Sequence, residues 1–248
     1  MKLNYQIINP KQERTVVFLH GFLESLSMWR LLDLESMPFR SILIDLPGHG
    51  NSELVVESKQ EERIVLIAKK INSFLFELGI KTFDIVGHSL GGYIAIELHK
   101  QIQNNKNKIV LLHSNFWEDE FQKKEDRNRV IEVVRKNKSF FIKEAIPNLF
   151  LEDFKNSEFV KELIKEALLI DALSIIYYSE AMRDRLSNES YFSENLTSFF
   201  VVQGENDKIV PKEKMKSFPI INFTEIKNAG HMGHFENQKD IEKFLRIF

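Results

Sequence analysis

A chain of 248 residues that is 43% hydrophobic, with 34 basic and 36 acidic residues and a formal net charge of -2, has the material for one large buried core. Its charges are interspersed, which excludes a polyanion surface such as one for nucleic acid and points to a small-molecule partner. The absence of cysteine excludes disulfides, thiol chemistry and cysteine-ligated metal. No apolar run approaches the roughly 18–20 residues of a membrane span, and MKLNYQIINPKQ lacks a signal-peptide core, so a cytoplasmic protein with no membrane span is expected.

In chain order, Leu3 to Ile8 alternates weakly and ends in Asn9-Pro10, which predicts a short edge strand and a turn. Thr15–Leu19, a β-branched run too short for a helix, reads as a strand buried on both faces and leads into His20-Gly21-Phe22. Ser27 to Glu35 is expected to be helical, before the strand Ser41–Ile44 and the loop Asp45 to Gly50. Glu61 to Leu78 puts Ile64, Ile67, Ala68, Ile71, Leu75 and Leu78 on one helical stripe with Gly79 as the cap. Phe83–Val86 is the next strand, followed by Gly87-His88-Ser89-Leu90-Gly91 and a central, buried helix to about Asn104. Ile109–Leu112 is again a strand. Strands alternating with helices predict an α/β fold, a doubly wound, mainly parallel sheet with helices on both faces.

From Ser114 to about Thr197 the chain has one proline, no glycine and dense charge, with helical stripes such as Phe159, Leu163, Ile164 and Ala167. Three or four helices inserted between two strands are expected, dividing the chain into a core of residues 1–113 and 198–248 and a helical cap of residues 114–197. Strands then resume at Phe199–Val202 and Ile221–Ile226, and Asn237–Phe248 forms a last helix. Nine of the ten glycines fall in the loops at strand ends, where open α/β sheets bind ligands.

One of those loops carries the pattern GxSxG around Ser89. A strand that turns directly into a helix holds such a serine out at the sheet edge, and the residue after it offers a helix N-terminal N–H to an oxyanion. A serine attacks a carbonyl only if a base takes its proton, a third group orients the base and donors hold the oxyanion. The base candidate is His231, in GHMGHFE after the last strand, and the orienting acid is Asp207, after the strand before it. The backbone N–H groups of Phe22 and Leu90 are the oxyanion candidates.

HGF, DLPGHG, GHSLGG, GENDKIVP and GHMGHFEN stand in an order that resembles the α/β-hydrolase fold superfamily, in the group with an inserted helical cap. The resemblance covers nearly the whole chain and implies Ser89 as nucleophile, Asp207 as acid, His231 as base, and Phe22 and Leu90 as the oxyanion hole. Ala181–Arg185 resembles the segment with which such caps rejoin the core. The serine excludes relatives with an aspartate nucleophile, and Gln238 departs from the pattern, where a proline is common. The implied activity is a serine esterase (a carboxylesterase) on a small, fairly apolar ester, without cofactor. Alternatives on the same triad are a carbon-carbon bond hydrolase or a lyase of the kind acting in menaquinone synthesis; a non-catalytic ligand receptor is a third.

Other residues are weighed against these. His234 rivals His231, and Glu205 and Asp45 rival Asp207; packing or turn-holding roles are expected for all three. His20, His49 and His88 read as structural, His20 as a brace of the oxyanion loop, and His99 as a surface residue at a helix C-terminus. The histidines form no HExxH or similar pair, so no metal is expected. Most aromatic residues of the insertion belong under its helices; Trp117, Phe150, Tyr177 and Tyr178, with His113 after its strand, are the candidates to line a pocket.

Overall fold

The computed structural model describes residues 2–54, 62–102 and 107–248. Seven strands form one sheet: β1 (Tyr5–Ile8), β2 (Thr15–Leu19), β3 (Arg40–Ile44), β4 (Asp84–His88), β5 (Ile109–Leu112), β6 (Phe199–Gly204) and β7 (Asn222–Ile226). Their order is β1-β3-β2-β4-β5-β6-β7, with β1 antiparallel to β3 and the other neighbours parallel. The register Val17↔Ile42, Val17↔Ile85 and Ile85↔Ile109 stacks β-branched side chains across the centre of the sheet.

The period of two along each strand divides the core. Val17, Leu19, Ile85 and Leu111 face α1 (Arg63–Glu77) and α2 (Leu90–Gln101). Val16, Phe18, Val86 and Val110 face the other way, onto Met28, Trp29 and the last helix. The α1 stripe buries Ile64, Ile67, Ala68, Ile71 and Leu75 as the sequence predicts, while Leu78, also expected on it, is the half-buried C-cap residue; Glu61 lies outside the described residues. α2 is buried from Leu90 to His99 and ends at Gln101; the expected end at Asn104 also falls outside the described residues.

Ser27 to Glu35 is not an α-helix. Two 3-10 turns, Leu26–Leu31 and Leu34–Ser36, are separated by Leu32 in extended backbone, and Asp33 accepts from the Ser36 N–H. That local bond competes with helix propagation and lets Met28, Trp29, Leu32 and Leu34 all enter the core.

Between β5 and β6 the chain forms α3 (Phe121–Ala145), α4 (Glu158–Leu168), α5 (Ala172–Asp184) and α6 (Glu189–Glu194). α3 breaks at Asn137, whose side chain caps the second half through the Phe140 N–H. These helices have an apolar cluster of their own, including Val134, Ile142, Leu163 and Ala167, which closes on Leu23 and Met232 from the sheet-end loops. After β6 come α7 (Lys212–Lys216), β7, the short α8 (Gly233–Glu236) and α9 (Gln238–Ile247). α9 buries Ile241, Phe244 and Leu245, and Asn237 caps it by accepting from the Asp240 N–H. Gln238 therefore sits at the first helical position, where proline is favoured but nothing requires it. No helix among the described residues is long and apolar enough to cross a membrane.

Candidate active site

β4 turns into α2 through Ser89 alone, at φ 49 and ψ -113. Positive φ in a residue with a Cβ costs on the order of 1–3 kcal/mol, so the surroundings must hold it. The Ser89 N–H donates to the Leu112 carbonyl at 3.0 Å, and the Ser114 hydroxyl donates to the Ser89 carbonyl at 2.6 Å. A Cβ on Gly91 would stand 2.3 Å from the Leu19 carbonyl oxygen, so glycine alone lets the first turn of α2 close on β2.

His231, in the loop after β7, places Nε2 2.9 Å from Ser89 Oγ. Its Nδ1 lies 3.0 and 3.2 Å from the two carboxylate oxygens of Asp207, in the loop after β6. A carboxylate only accepts, so Nδ1 carries the hydrogen and Nε2 is free to accept from the serine hydroxyl. Asp207 Oδ1 also accepts from the N–H groups of Ile209 and Val210, at 2.8 and 3.2 Å, which fixes the carboxylate plane. Burial works against its charge, but His231 outweighs it and holds Asp207 well below the usual carboxylate range.

Leu90 is the first residue of α2, and Phe22 follows β2 at the same sheet edge. The Phe22 N–H shares a peptide plane with the Gly21 carbonyl, which accepts from His20 Nδ1 at 2.8 Å, while His20 Nε2 accepts the Leu46 N–H at 2.9 Å. His20 thus sets the direction of the Phe22 N–H, and burial keeps its ring neutral. Asp45 holds its own loop by accepting from the Asn51 N–H and ties it to the 3-10 turn after β2 by accepting from the Leu26 N–H. Glu205 is a turn residue that pairs with Lys227. His234 is fully buried, packed on His88 at 4.9 Å and on Trp29 at 6.1 Å, away from Ser89.

Ser89 and His231 open into a cavity of about 500 Å³ between the sheet edge and the helices that follow β5. Phe22, Leu23, Tyr93, Trp117, Val130, Phe141 and Met182 give it an apolar wall; Lys123, Arg127, Lys208 and Lys214 add cationic groups, and Glu118, Asp119, Glu120 and Asp126 add acidic ones. Of the five residues expected to line it, Trp117 does and four do not. His113 lies behind the acid, its Nδ1 accepting the Gly204 N–H at 3.1 Å, and burial lowers it to about 4. Tyr178 is buried edge-on against His49 at 4.7 Å, and Tyr177 packs beside it under the Arg63 guanidinium. Phe150 is buried among Phe159 and Phe235 and touches only a smaller cleft on the far side of His231. His99 is likewise not on the surface: it is buried, bonded to the Tyr191 hydroxyl and the Asn107 carbonyl. Aromatic residues mark a buried surface, but which neighbour covers that surface is a tertiary fact.

Of the arginines in the insertion, only Arg127 reaches the cavity wall, held by Asp119 at 3.1 Å. Arg185 is buried behind it, 2.8 Å from Asp119 and stacked 4.0 Å over the Tyr93 ring. Arg129 and Arg183 do not line it; they pair with Asp126, itself a wall residue, and Asp184. Among the described residues no group of three histidine or acidic side chains is disposed to hold a metal ion.

Sequence reasoning missed Glu24, whose carboxylate meets His88 Nδ1 at 3.0 Å with both side chains 1% exposed. Burial opposes each charge, yet the pair outweighs it: Glu24 falls to about 2 and His88 rises above 6.5. His20, His113, His231, His234 and Asp207 surround them and complete the local charge set. Unfolded, Glu24 titrates near 4.5, so its contribution is complete above that pH and is lost as pH falls toward 2. His88 contributes fully below 6.5 and loses its contribution as pH rises through its elevated folded value. The melting-temperature gap between wild type and Glu24→Gln should therefore be widest between pH 4.5 and 6.5 and narrow on both sides, as a pH series of thermal melts will show.

Comparison with known proteins places the chain in a family. A curated relative, the dihydrolipoyllysine-residue acetyltransferase component of the acetoin cleaving system of Cupriavidus necator, is 25% identical over 94% of the chain, which spans 62% of that protein's length. A 2-succinyl-6-hydroxy-2,4-cyclohexadiene-1-carboxylate synthase of Serratia proteamaculans is 37% identical over 33% of the chain and 30% of its own length. Among solved structures, a thermophilic esterase from Thermogutta terrifontis superposes with a TM-score of 0.84 at 24% identity, covering 98% of this chain and 91% of that one. The family model for the alpha/beta hydrolase fold matches residues 14–238, and with this sheet order and serine turn the chain belongs to the alpha/beta hydrolase family.

Proposed function

We propose that the protein is a serine hydrolase that cleaves a small, fairly apolar carboxylic ester through an acyl-enzyme. The observation that carries this reading is the unbroken line Asp207–His231–Ser89, with Ser89 opening into a mostly apolar cavity. Ser89 Oγ adds to the ester carbonyl carbon as its proton passes to His231 Nε2. The Phe22 and Leu90 N–H groups receive the oxyanion, and His231 returns the proton to the departing alcohol. Water, deprotonated by the same nitrogen, then attacks the acyl carbon and releases the acid and Ser89. The helices of residues 114–197 serve as the cap that shapes the acyl and alcohol sites, and no cofactor enters the reaction.

A fluorophosphonate should modify Ser89 stoichiometrically, read by mass spectrometry of the peptide, and a panel of p-nitrophenyl esters of graded acyl length should show turnover. Labelling with no turnover of any ester would favour a ligand receptor on the same fold.

One observation favours a second reading, a lyase or carbon-carbon bond hydrolase acting on a carboxylate-bearing substrate. Arg127 and Lys123 stand in the cavity wall, and burial beside Arg127 holds Lys123 below its ordinary range. The Serratia relative is named for a carboxylate product. Inhibition of ester turnover by small dicarboxylates, lost in Arg127→Gln, would support it; indifference to them favours the neutral ester.

A further inference from the structure

We infer that the buried Glu24–His88 pair is the positioning element that locks the oxyanion loop to the loop carrying the base. The inference rests on the serine-hydrolase reading above. His88 immediately precedes the serine, and its two ring nitrogens face two different groups. Nδ1 lies 3.0 Å from Glu24 Oε2, and Nε2 lies 3.0 Å from the backbone carbonyl of His231. A carboxylate oxygen and a carbonyl oxygen can only accept. Both contacts are hydrogen bonds only when both nitrogens carry hydrogen, so His88 stands as an imidazolium, balanced by the carboxylate it touches.

The same Oε2 accepts the Gly21 N–H at 2.5 Å. A Cβ on Gly21 would fall 2.5 Å from that oxygen and 2.7 Å from His88 Nδ1, so the glycine of HGF is what admits the pair against the oxyanion loop. Gly21 is then held on both its peptides: Glu24 takes the N–H of the first, and His20 donates to the carbonyl of the second, whose N–H belongs to Phe22. One charged pair thus joins three chain segments: the loop after β2, the residue before the nucleophile and the backbone of His231. If the charge is removed, a neutral His88 has one hydrogen for two acceptors, and one of the two loops is released.

The experiment uses Glu24→Gln, His88→Gln and the double variant, assayed on a p-nitrophenyl ester well below each melting temperature. A displacement of about 1 Å in catalytic groups costs on the order of a hundredfold, so kcat should fall roughly tenfold to a hundredfold. KM should stay within about twofold, because Glu24 and His88, although they line the cavity, are each only 1% exposed, and the double variant should be no worse than the poorer single, as for residues acting as one unit. Wild-type kcat in Glu24→Gln, or a loss that vanishes once folded fractions are equalised, overturns the inference. Nitrogen NMR of the wild-type His88 ring at pH 7 decides independently of whether any variant folds. Two protonated nitrogens support the inference, and one bare nitrogen refutes it. If Ser89→Ala is inactive while Glu24→Gln is unimpaired, only this inference fails; if Ser89→Ala turns over ester, the reading beneath it fails.

Discussion

Ser89→Ala should lower kcat for an activated ester by roughly ten-thousandfold or more while leaving the protein folded. The substitution removes one oxygen from a residue whose strained backbone is held by the Leu112 carbonyl and the Ser114 hydroxyl, neither of which touches the Ser89 side chain. Stability is therefore preserved and the variant isolates chemistry. On the proposed mechanism, what remains is the contribution of the Phe22 and Leu90 N–H groups and of binding, which is well above the uncatalysed rate. Steady-state kinetics with active-site titration checks it, and full retention of turnover would remove the serine from the mechanism.

Asp207→Asn should cost about ten-thousandfold in kcat with KM little changed. The reason lies in which oxygen is committed. Oδ1 is fixed by the N–H groups of Ile209 and Val210, so the asparagine oxygen takes that place and its NH₂ falls where Oδ2 met His231 Nδ1, at 3.0 Å. An amide N–H pointed at Nδ1 drives the ring hydrogen to Nε2, the atom that must accept the serine proton. The base is still present, aimed and unable to act. A variant that kept wild-type kcat would show that another group orients His231.

Most of the scaffold was legible because its signals are local. Val16 to Leu19 and Ile109–Leu112 are too short and too β-branched to be anything but buried strands, and glycines mark the loops at their ends. Ser89, Asp207 and His231 stood out because each follows a strand, and parallel neighbours bring such loops to one edge. The 3-10 turns at Leu26–Ser36 were hidden because a stripe of apolar residues fits both helix types, and the choice was made by Asp33. Tyr177, Tyr178, Phe150 and His113 were misplaced because composition says that a side chain is buried, not what it is buried against. Glu24 had a signal that went unused: an acid three residues after Gly21, in a loop otherwise apolar, needs a buried partner.

The distance along the chain between the serine and its base has a temporal side. Ser89 and His231 are 142 residues apart, with all the helices between β5 and β6 in the interval. At the ordinary pace of roughly 5–20 residues per second, a ribosome needs about 7–30 s to travel from one to the other. During that time the serine turn already has its strand and helix, but the histidine does not yet exist. On the proposed mechanism, the hydroxyl of a nascent chain therefore has no base, and reactivity begins only after the loop beyond β7 has emerged and docked.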